Sequence, residues 1–502
     1  MGVRKRPLTI NTEREMGPRG GVDGDITEEE GQPLSPAGRL FHQPHFNCHI
    51  ISIMGSGKTI DVDAVKAGLE RTMIRHPRFS SILVLDKHRS KKSRWIRTKV
   101  VVDDHIVIPS LNISSERTPD QIVEDYISSL STSSLPLTRP LWDLHIINIP
   151  TSKSEAVSIL RMHHSLGDGI SLMSLLLAGT RKISDPDSAP SLPLSRSRKA
   201  KSFDRGGMLW RLMVWIWLVL AHFWNTVIDA VMLGASCVFL RDTETPIKGV
   251  EGFEFRRKRF VSTTLSLEDA EVVKNAFGCT INDVMLGITS AGLSRYLSTR
   301  YNDTSNEKKN AGSLPANIRL RTTLMVNIRA PAGIDEMTKM IEGDNSCTTW
   351  GNWLGYMIVP IPIMICKDPL DYIRKGIEIA QRKRTSLEAI FTYITGCLII
   401  KILGIKAAAA LCYRVFRHTT VLLSNIAGPV DEIGFCGHPL VYLAASVYGH
   451  PQAITLHFQS YMNKMEMVLA VDELTVPDPH QLLQDLAESL KLIKDAVVER
   501  SS

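Results

Sequence analysis

Between residues 208 and 240 lies the most apolar stretch of the chain, and its position near the middle constrains everything on either side. Trp210, Trp215, Trp217 and Trp224 fall within it, interrupted by Arg211, His222, Asn225 and Asp229. The run from Leu212 to Ile228 is about seventeen residues, the lower limit for crossing a hydrocarbon core of roughly 30 Å, and tryptophans concentrate at membrane interfaces. A single span here would put the two halves of the chain on opposite faces of a bilayer, where they could not build one site. Basic residues flank the stretch on both sides, Arg196 to Arg205 and Arg256 to Arg259, so no positive-inside asymmetry selects an orientation. The reading that keeps both halves on one side is a re-entrant or in-plane helical hairpin bending near Asp229. Its alternatives are a true span and an apolar helix packed on the protein itself.

The length argues for two lobes. A chain of 502 residues exceeds what one hydrophobic core usually supports, and 44% apolar residues can fill both. The formal charge of +7 suits an anionic partner such as a phosphate-bearing cosubstrate or a lipid surface, but it is modest for this length; nucleic-acid binding is not indicated. The eight cysteines, Cys48, Cys237, Cys279, Cys347, Cys366, Cys397, Cys412 and Cys436, are scattered without a close pair. That spacing argues against a disulfide framework and a thiolate metal site, so no metal is expected and a reducing, cytosol-facing setting follows. The N-terminus is basic at Arg4, Lys5 and Arg6, then acidic at Glu28, Glu29 and Glu30, and lacks the apolar core of a signal peptide. Arg6 stands where a myristoylated chain needs Ser or Thr. The expected organisation is a mobile tail over 1–32, a first lobe over 33–180, a crossover with the apolar segment over 181–250, and a second lobe over 251–502.

Within the first lobe, Pro33-Leu34-Ser35-Pro36 gives a rigid extended lead-in, and Cys48 to Met54 reads as a buried strand. A helix over Val62 to Arg75 has Asp61 as its cap and is stopped at His76-Pro77. Strands around Ser81 to Leu85 and Trp95 to Val102, a helix near Pro119 to Ser129, and strands at Pro140 to Ile147 and Val157 to Met162 follow. The last of these delivers the chain into His163-His164, with a helix from Gly169 to Gly179 behind it. Residues 181–206, rich in Ser, Pro, Arg and Lys, read as a linker. In the second half a helix begins near Thr280 to Asp283, a strand over Thr323 to Ile328 leads to Arg329, and a helix from Asp368 precedes a second apolar run, Ala389 to Cys412. Strands around Thr419 to Ser424, Leu440 to Val447, Ile454 to Tyr461 and Met465 to Val471 precede an amphipathic closing helix, Pro479 to Val498.

His163-His164-Ser165-Leu166-Gly167-Asp168-Gly169 is the sharpest chemical feature. An imidazole able to take a proton near neutral pH leads into a tight turn with an Asp and two glycines. A base acting on an alcohol needs a fixed tautomer and orientation; the carboxylate four residues on can lock the turn, and the glycines permit unusual backbone angles. The string resembles the His-His-x-x-x-Asp-Gly signature of the CoA-dependent acyltransferase superfamily. Pro140-Leu141-Trp142, Asn282-Asp283-Val284, Val326-Asn327-Ile328-Arg329, Gly351-Asn352 and Ser424-Asn425-Ile426-Ala427-Gly428-Pro429 narrow it. Together they are similar to the plant wax ester synthase/diacylglycerol acyltransferase family over roughly residues 33–499.

The resemblance implies an α/β fold of two related lobes, each a mixed sheet flanked by helices, as in chloramphenicol acetyltransferase, with a tunnel between them. It makes His164 the general base for direct attack of an alcohol hydroxyl on the thioester of acyl-CoA. His163 then supports the turn with Gly169, and Asp168 is structural, turned toward an arginine for which Arg329 is the candidate. Asn282 and Asp283 match a functional pair of the family, whose role, shaping the site or steadying the oxyanion, the resemblance leaves unassigned. The implied reaction makes wax ester from a long-chain fatty alcohol and triacylglycerol from diacylglycerol. Acyl-CoA is then a co-substrate, no resident cofactor is needed, and membrane lipid is a partner. The expected location is the endoplasmic reticulum membrane with the lobes facing the cytosol, the plasma membrane being the alternative. One departure stands out: Ala427 replaces the first proline of the usual Ser-Asn-x-Pro-Gly-Pro loop, which costs rigidity rather than chemistry. Rival readings are an acyltransferase for another acceptor and a non-catalytic lipid-binding protein of the same fold.

Several segments have blander readings. Gly55-Ser56-Gly57-Lys58-Thr59 imitates a phosphate loop, but the pattern needs glycine where Ser52 stands. Asn282-Asp283 can simply cap a helix. The run Arg256 to Arg259 reads as a solvated face, or as a contact for anionic headgroups or CoA phosphates.

Overall fold

The computed structural model describes residues 31–85, 93–113, 115–185, 187–191, 208–304, 314–315, 317–328, 339 and 350–501; the expected tail thus lies almost wholly outside the described residues. In chain order the strands are β1 (Gln32–Pro33), β2 (His49–Ser56), β3 (Ser81–Val84), β4 (Arg94–Arg97), β5 (Ile106–Val107), β6 (Trp142–Ile147), β7 (Ala156–His163), β8 (Thr180–Lys182), β9 (Lys258–Ser266), β10 (Arg321–Asn327), β11 (Leu354–Pro360), β12 (Val421–Ile426), β13 (Ile433–Phe435), β14 (His438–Tyr448), β15 (Ile454–Tyr461) and β16 (Lys464–Asp472). The helices are α1 (Pro36–Leu40), α2 (Val62–Arg71), α3 (Pro119–Leu130), α4 (Gly169–Ala178), α5 (Met208–Val238), α6 (Leu267–Phe277), α7 (Ile281–Thr304), α8 (Leu370–Arg384), α9 (Glu388–Ile402), α10 (Ile405–Arg417) and α11 (Pro479–Ser501).

β2 and β7 are largely apolar on both faces because both faces are covered, and every position of each is buried. They pair antiparallel from His49↔His163 to Ser56↔Ala156 at the centre of a sheet ordered β5-β6-β7-β2-β14-β13-β8. The phosphate-loop imitation therefore begins inside β2, and α2 starts only at Val62, beyond Lys58-Thr59 and capped by the carboxylate of Asp61, so its N-terminus is not open to a phosphate as such a site would require. The second sheet is β11-β10-β12-β15-β16-β9, with β10, β12 and β15 parallel neighbours. β13 and β14, late in the chain, pair into the first sheet, with Tyr448 opposite His49. The second half of the sequence thus reaches back to complete the first lobe.

The sheets pack on each other through Ile51, Val157 and Ile159 from one side and Phe260, Val468 and Ala470 from the other. Behind the second sheet, Val284, Ile288 and Tyr296 of α7 and Leu482 and Leu486 of α11 close the larger core. α2 and α4 cover the first sheet through Leu69, Leu172 and Leu176. Each such side chain contributes about 1.5–3 kcal/mol by burial, which is why apolar patterning alone selects these faces. The result is a mixed α/β fold in two lobes. Its seam consumes the basic run: Arg259 pairs with Asp125 and Glu124 of α3, Arg256 with Asp472, and Lys258 donates to the Phe253 carbonyl. Arg259 is therefore an interlobe contact, and the side chains of Arg256 and Lys258 are engaged within the second lobe, so the run is not a free anion-binding face.

α5 corrects the expected hairpin, for it runs unbroken through Asp229. The reason is local. Asp229 is buried, and its Oδ1 accepts from Arg382 Nη2 at 2.7 Å and Lys383 Nζ at 3.0 Å, so the charge of the interruption is paired by α8 without a turn. Asn225 donates to Thr385 Oγ1 at 2.8 Å on the same stripe. Most of the N-terminal part of α5 is uncovered: Trp210, Trp215, Trp217, Phe223 and Trp224 are all exposed. By length and composition α5 alone could cross a membrane.

The C-terminal end of α5 is fastened to β10. Arg321, at the start of β10, donates to Asp242 Oδ1 at 2.6 Å, Ser236 Oγ at 2.6 Å and the carbonyls of Leu240 and His418, all out of solvent. Asp242→Ala strands the buried guanidinium, which costs about 3–5 kcal/mol. A clear drop in the melting midpoint of the purified protein is the expected outcome, and an unchanged midpoint contradicts this role for the pair.

Candidate active site

β7 ends at His163 because its next residues must turn: Leu166 N bonds back to the His163 carbonyl at 3.0 Å. The two histidines then serve different ends. His163 is held on both nitrogens, Nε2 donating to Asn47 Oδ1 at 3.1 Å and Nδ1 accepting from Ser165 Oγ at 2.7 Å, while His42 stacks on its ring at 4.1 Å. Burial, reinforced by His42 and His49, keeps it well below the ordinary histidine range, so it is neutral. His164 is anchored by its backbone, its N–H donating to the Cys48 carbonyl at 2.9 Å, and Phe41 stacks on its ring at 4.3 Å. Its Nδ1 has no hydrogen-bond partner among the described residues. Burial holds this imidazole below its ordinary pKa, opposed by its own backbone, the Asp168 carboxylate, the Asn352 side chain and the Gly167 backbone.

Asp168 caps α4. Its Oδ1 accepts from Ser171 N at 2.9 Å and Ser171 Oγ at 2.6 Å. Its Oδ2 faces the other lobe, accepting from Asn327 Nδ2 at 3.1 Å and Trp353 N at 3.4 Å. Arg329, the partner expected from the sequence, lies outside the described residues. Among the described residues, Asn327, two residues earlier in the same motif, reaches Asp168 from the second lobe.

Residues 350–353 clasp the turn from the second lobe. Trp350 Nε1 donates to the Leu166 carbonyl at 2.8 Å, and Asn352 Nδ2 to the carbonyls of His164 and Ser165 at 3.0 and 3.4 Å. A Cβ on Gly167 would stand 3.0 Å from the Trp350 ring, so this clasp requires a residue without one. Gly169 opens α4 and lines the cavity beside Asp168.

Asn282 and Asp283 stand at one remove. Asp283 is buried, accepts from Thr280 N at 2.8 Å and pairs with Arg384, joining α7 to α8. Asn282 Oδ1 accepts from Asn425 Nδ2 at 2.7 Å, and it is Asn425 that lines the cavity. The loop after β12 keeps its glycine for a steric reason: a Cβ on Gly428 would lie 2.0 Å from the Ser460 carbonyl oxygen.

These elements enclose a cavity of about 500 Å³ between the lobes. Phe41 and Leu40 of the α1 region, Met173 of α4, Met325 and Tyr356 of the second sheet, and Ile400 and Phe416 of α9 and α10 give it an apolar wall. His164, Asp168 and Asn327 form one polar end of this lining. Among the described residues no group of His, Cys, Asp and Glu is arranged to hold a metal ion. The arrangement can therefore hold long apolar chains against the neutral imidazole of His164, whose Nδ1 has no partner among the described residues. Asn327, Asn352 and Trp350 are site residues that motif reading left without roles, because only the partner lobe reveals them.

In fold, the chain is similar to acyl-transfer and condensation proteins. The wax ester synthase/diacylglycerol acyltransferase from Marinobacter aquaeolei VT8 superposes with a TM-score of 0.57 at 16% identity, over 93% of this chain and 100% of that one. The first condensation domain of the calcium-dependent antibiotic synthetase gives 0.54 at 11% identity, over 95% and 98%. Residues 42–285 match the family model of the wax ester synthase/diacylglycerol acyltransferase catalytic domain, and residues 350–494 that of the WS/DGAT C-terminal domain. Wax ester synthase/diacylglycerol acyltransferases 5 and 11 of Arabidopsis thaliana are 45% and 46% identical to it, over 95% and 94% of this chain and 96% of each relative. The chain belongs to the wax ester synthase/diacylglycerol acyltransferase family.

Asn352→Ala leaves two buried carbonyls at the motif turn short of a donor, a loss of about 1–3 kcal/mol. The expected outcome is a lower melting midpoint together with reduced catalysis, read by thermal unfolding and turnover of the same preparation. Wild-type values for both would remove the clasp from the account.

Proposed function

We propose that this protein transfers a fatty acyl group from acyl-CoA to the hydroxyl of a long-chain alcohol, giving wax ester, and to diacylglycerol, giving triacylglycerol. The observation that carries this reading is the half-buried His164, its Nδ1 without a partner among the described residues, facing a largely apolar cavity between two lobes. His164 takes the proton from the acceptor hydroxyl as its oxygen attacks the thioester carbon, and returns it to the departing thiolate. A pKa held low by burial leaves the ring neutral and ready to accept. Asp168 and His163 position the turn, and Asn327 and Asn352 fasten it across the lobes.

Direct transfer is favoured over an acyl-enzyme. Cys48, Cys397 and Cys412 line the cavity; burial pushes the thiols of Cys48 and Cys412 up, Cys412 to about 12, so neither of these two is a thiolate near neutral pH. Acyl-CoA enters as a co-substrate, and no resident cofactor is called for by these residues. The exposed tryptophans of α5, with the exposed stripe Ile390, Ile394, Leu398 and Ile402 on α9, support membrane contact. The endoplasmic reticulum, with both lobes on the cytosolic side, is the location this reading favours.

Membranes containing wild-type or His164→Ala protein, supplied with labelled palmitoyl-CoA and hexadecanol or diacylglycerol, test it. Labelled ester from the wild type that falls by about 10²–10⁴-fold in the variant is expected; equal ester from both removes His164 as the base. The pH profile follows from the same geometry. A base must be neutral to act, so activity is lost as pH falls through the His164 pKa. Because burial lowers that pKa, the acid limb of kcat/KM lies below pH ~6.5, and a limb at or above it contradicts the assignment.

A further inference from the structure

β15 alternates in a way that core packing does not explain. Ile454, Leu456 and Phe458 enter the second-lobe core, whereas Thr455, His457 and Gln459 alternate with them and are equally buried. Buried polar groups are ordinarily hydrogen-bonded. Yet Nδ1 of His457 and both amide atoms of Gln459 have no partner among the described residues, and neither does the hydroxyl of Ser446 on β14. His457 and Ser446 line the same cavity as His164. His450, also on this wall, makes the contrast: Gln452 Oε1 at 2.9 Å and Thr455 Oγ1 at 2.9 Å occupy both of its ring nitrogens. His457 is thus buried at the cavity wall without the partners that a structural histidine collects.

We propose that His457 is a further catalytic residue, donating a ring N–H to the carbonyl oxygen of the thioester, with the Ser446 hydroxyl as a second donor. This rests on the acyl-transfer reading above. When the acceptor oxygen bonds to the thioester carbon, its proton passes to His164 and the carbonyl π pair moves onto oxygen, where the two donors meet the developing charge. Collapse re-forms the carbonyl and breaks the carbon–sulfur bond, and the thiolate takes the proton from His164. A donor to that oxygen must not itself ionise. Burial, with the charge of nearby His164, brings His457 down to about 3, so it stays a neutral N–H donor throughout.

The test compares His457→Leu, His457→Gln and Ser446→Ala with wild type and His164→Ala, reading kcat, KM and melting midpoint. His457→Leu is expected to lose about 10²–10³-fold in kcat with KM nearly unchanged. Its melting midpoint stays level or rises, because an unpartnered buried imidazole is exchanged for an apolar side chain. His457→Gln, which keeps an N–H donor, recovers part of the rate, and Ser446→Ala loses less than His457→Leu. The inference is overturned if His457→Leu keeps kcat within about threefold of wild type. It is equally overturned if the variant melts lower in step with its lost activity and His457→Gln does no better. An active wild type that depends on His164 but not on His457 sinks this inference alone, whereas a wild type that forms no ester sinks both.

Discussion

The carboxylate of Asp168 joins two problems that the fold has to solve at once. One oxygen ends the turn after β7 by capping α4, and the other is held by Asn327 and by the backbone of Trp353 from the second lobe. The motif turn and the interlobe contact are therefore the same structure. A charge buried this deeply is tolerable only because donors from both sides meet it. His164 gains its fixed place as a consequence, since the turn that Asp168 closes is the one that aims the imidazole at the cavity. The clasp by Trp350 and Asn352 repeats the logic on the backbone carbonyls of the same turn.

The two sheets are interlocked by more than contact. β14 leaves the second half of the chain to pair with β2, beside the strand that carries the histidines. Ser446 reaches the cavity on that crossing strand, and His457 arrives on the next strand of the second sheet. A site built this way has no independent half. Membrane contact is tied in at the other end, where Asp229 fixes α5 to α8 and Lys383 carries the connection to Glu388 at the start of α9. α9 in turn walls the cavity, so the apolar surface and the reaction chamber share a helix.

Much of this was legible in the sequence. β7 and α4 fall where alternation and the Asp-Gly signal put them, as do β14, β15 and β16 within a few residues. These elements are set by local pattern. The two-lobed fold and the family were legible from motifs spread along the chain. What local pattern could not disclose was partnership. Asp229 looked like a bend because a carboxylate in an apolar run has nowhere to go; Arg382 and Lys383, over 150 residues later, hold it within a continuous helix. The run Arg256 to Arg259 looked free because its acids, Asp125 and Glu124 on α3 and Asp472 at the end of β16, come from distant elements. Asn327 and Asn352 stood inside recognised motifs without a role, since each acts only across the lobe boundary. His457 carries one local signal, a polar residue alternating with Ile454, Leu456 and Phe458, but its meaning needs the cavity.

The structure of the protein bound to a non-reactive thioether analogue of a long-chain acyl-CoA tests the central claim most directly. The account predicts the alkyl chain in the cavity between the lobes, with the carbon beside sulfur within reach of the His164 ring. An alkyl chain seated elsewhere, or a sulfur remote from His164 with the cavity left vacant, would contradict it.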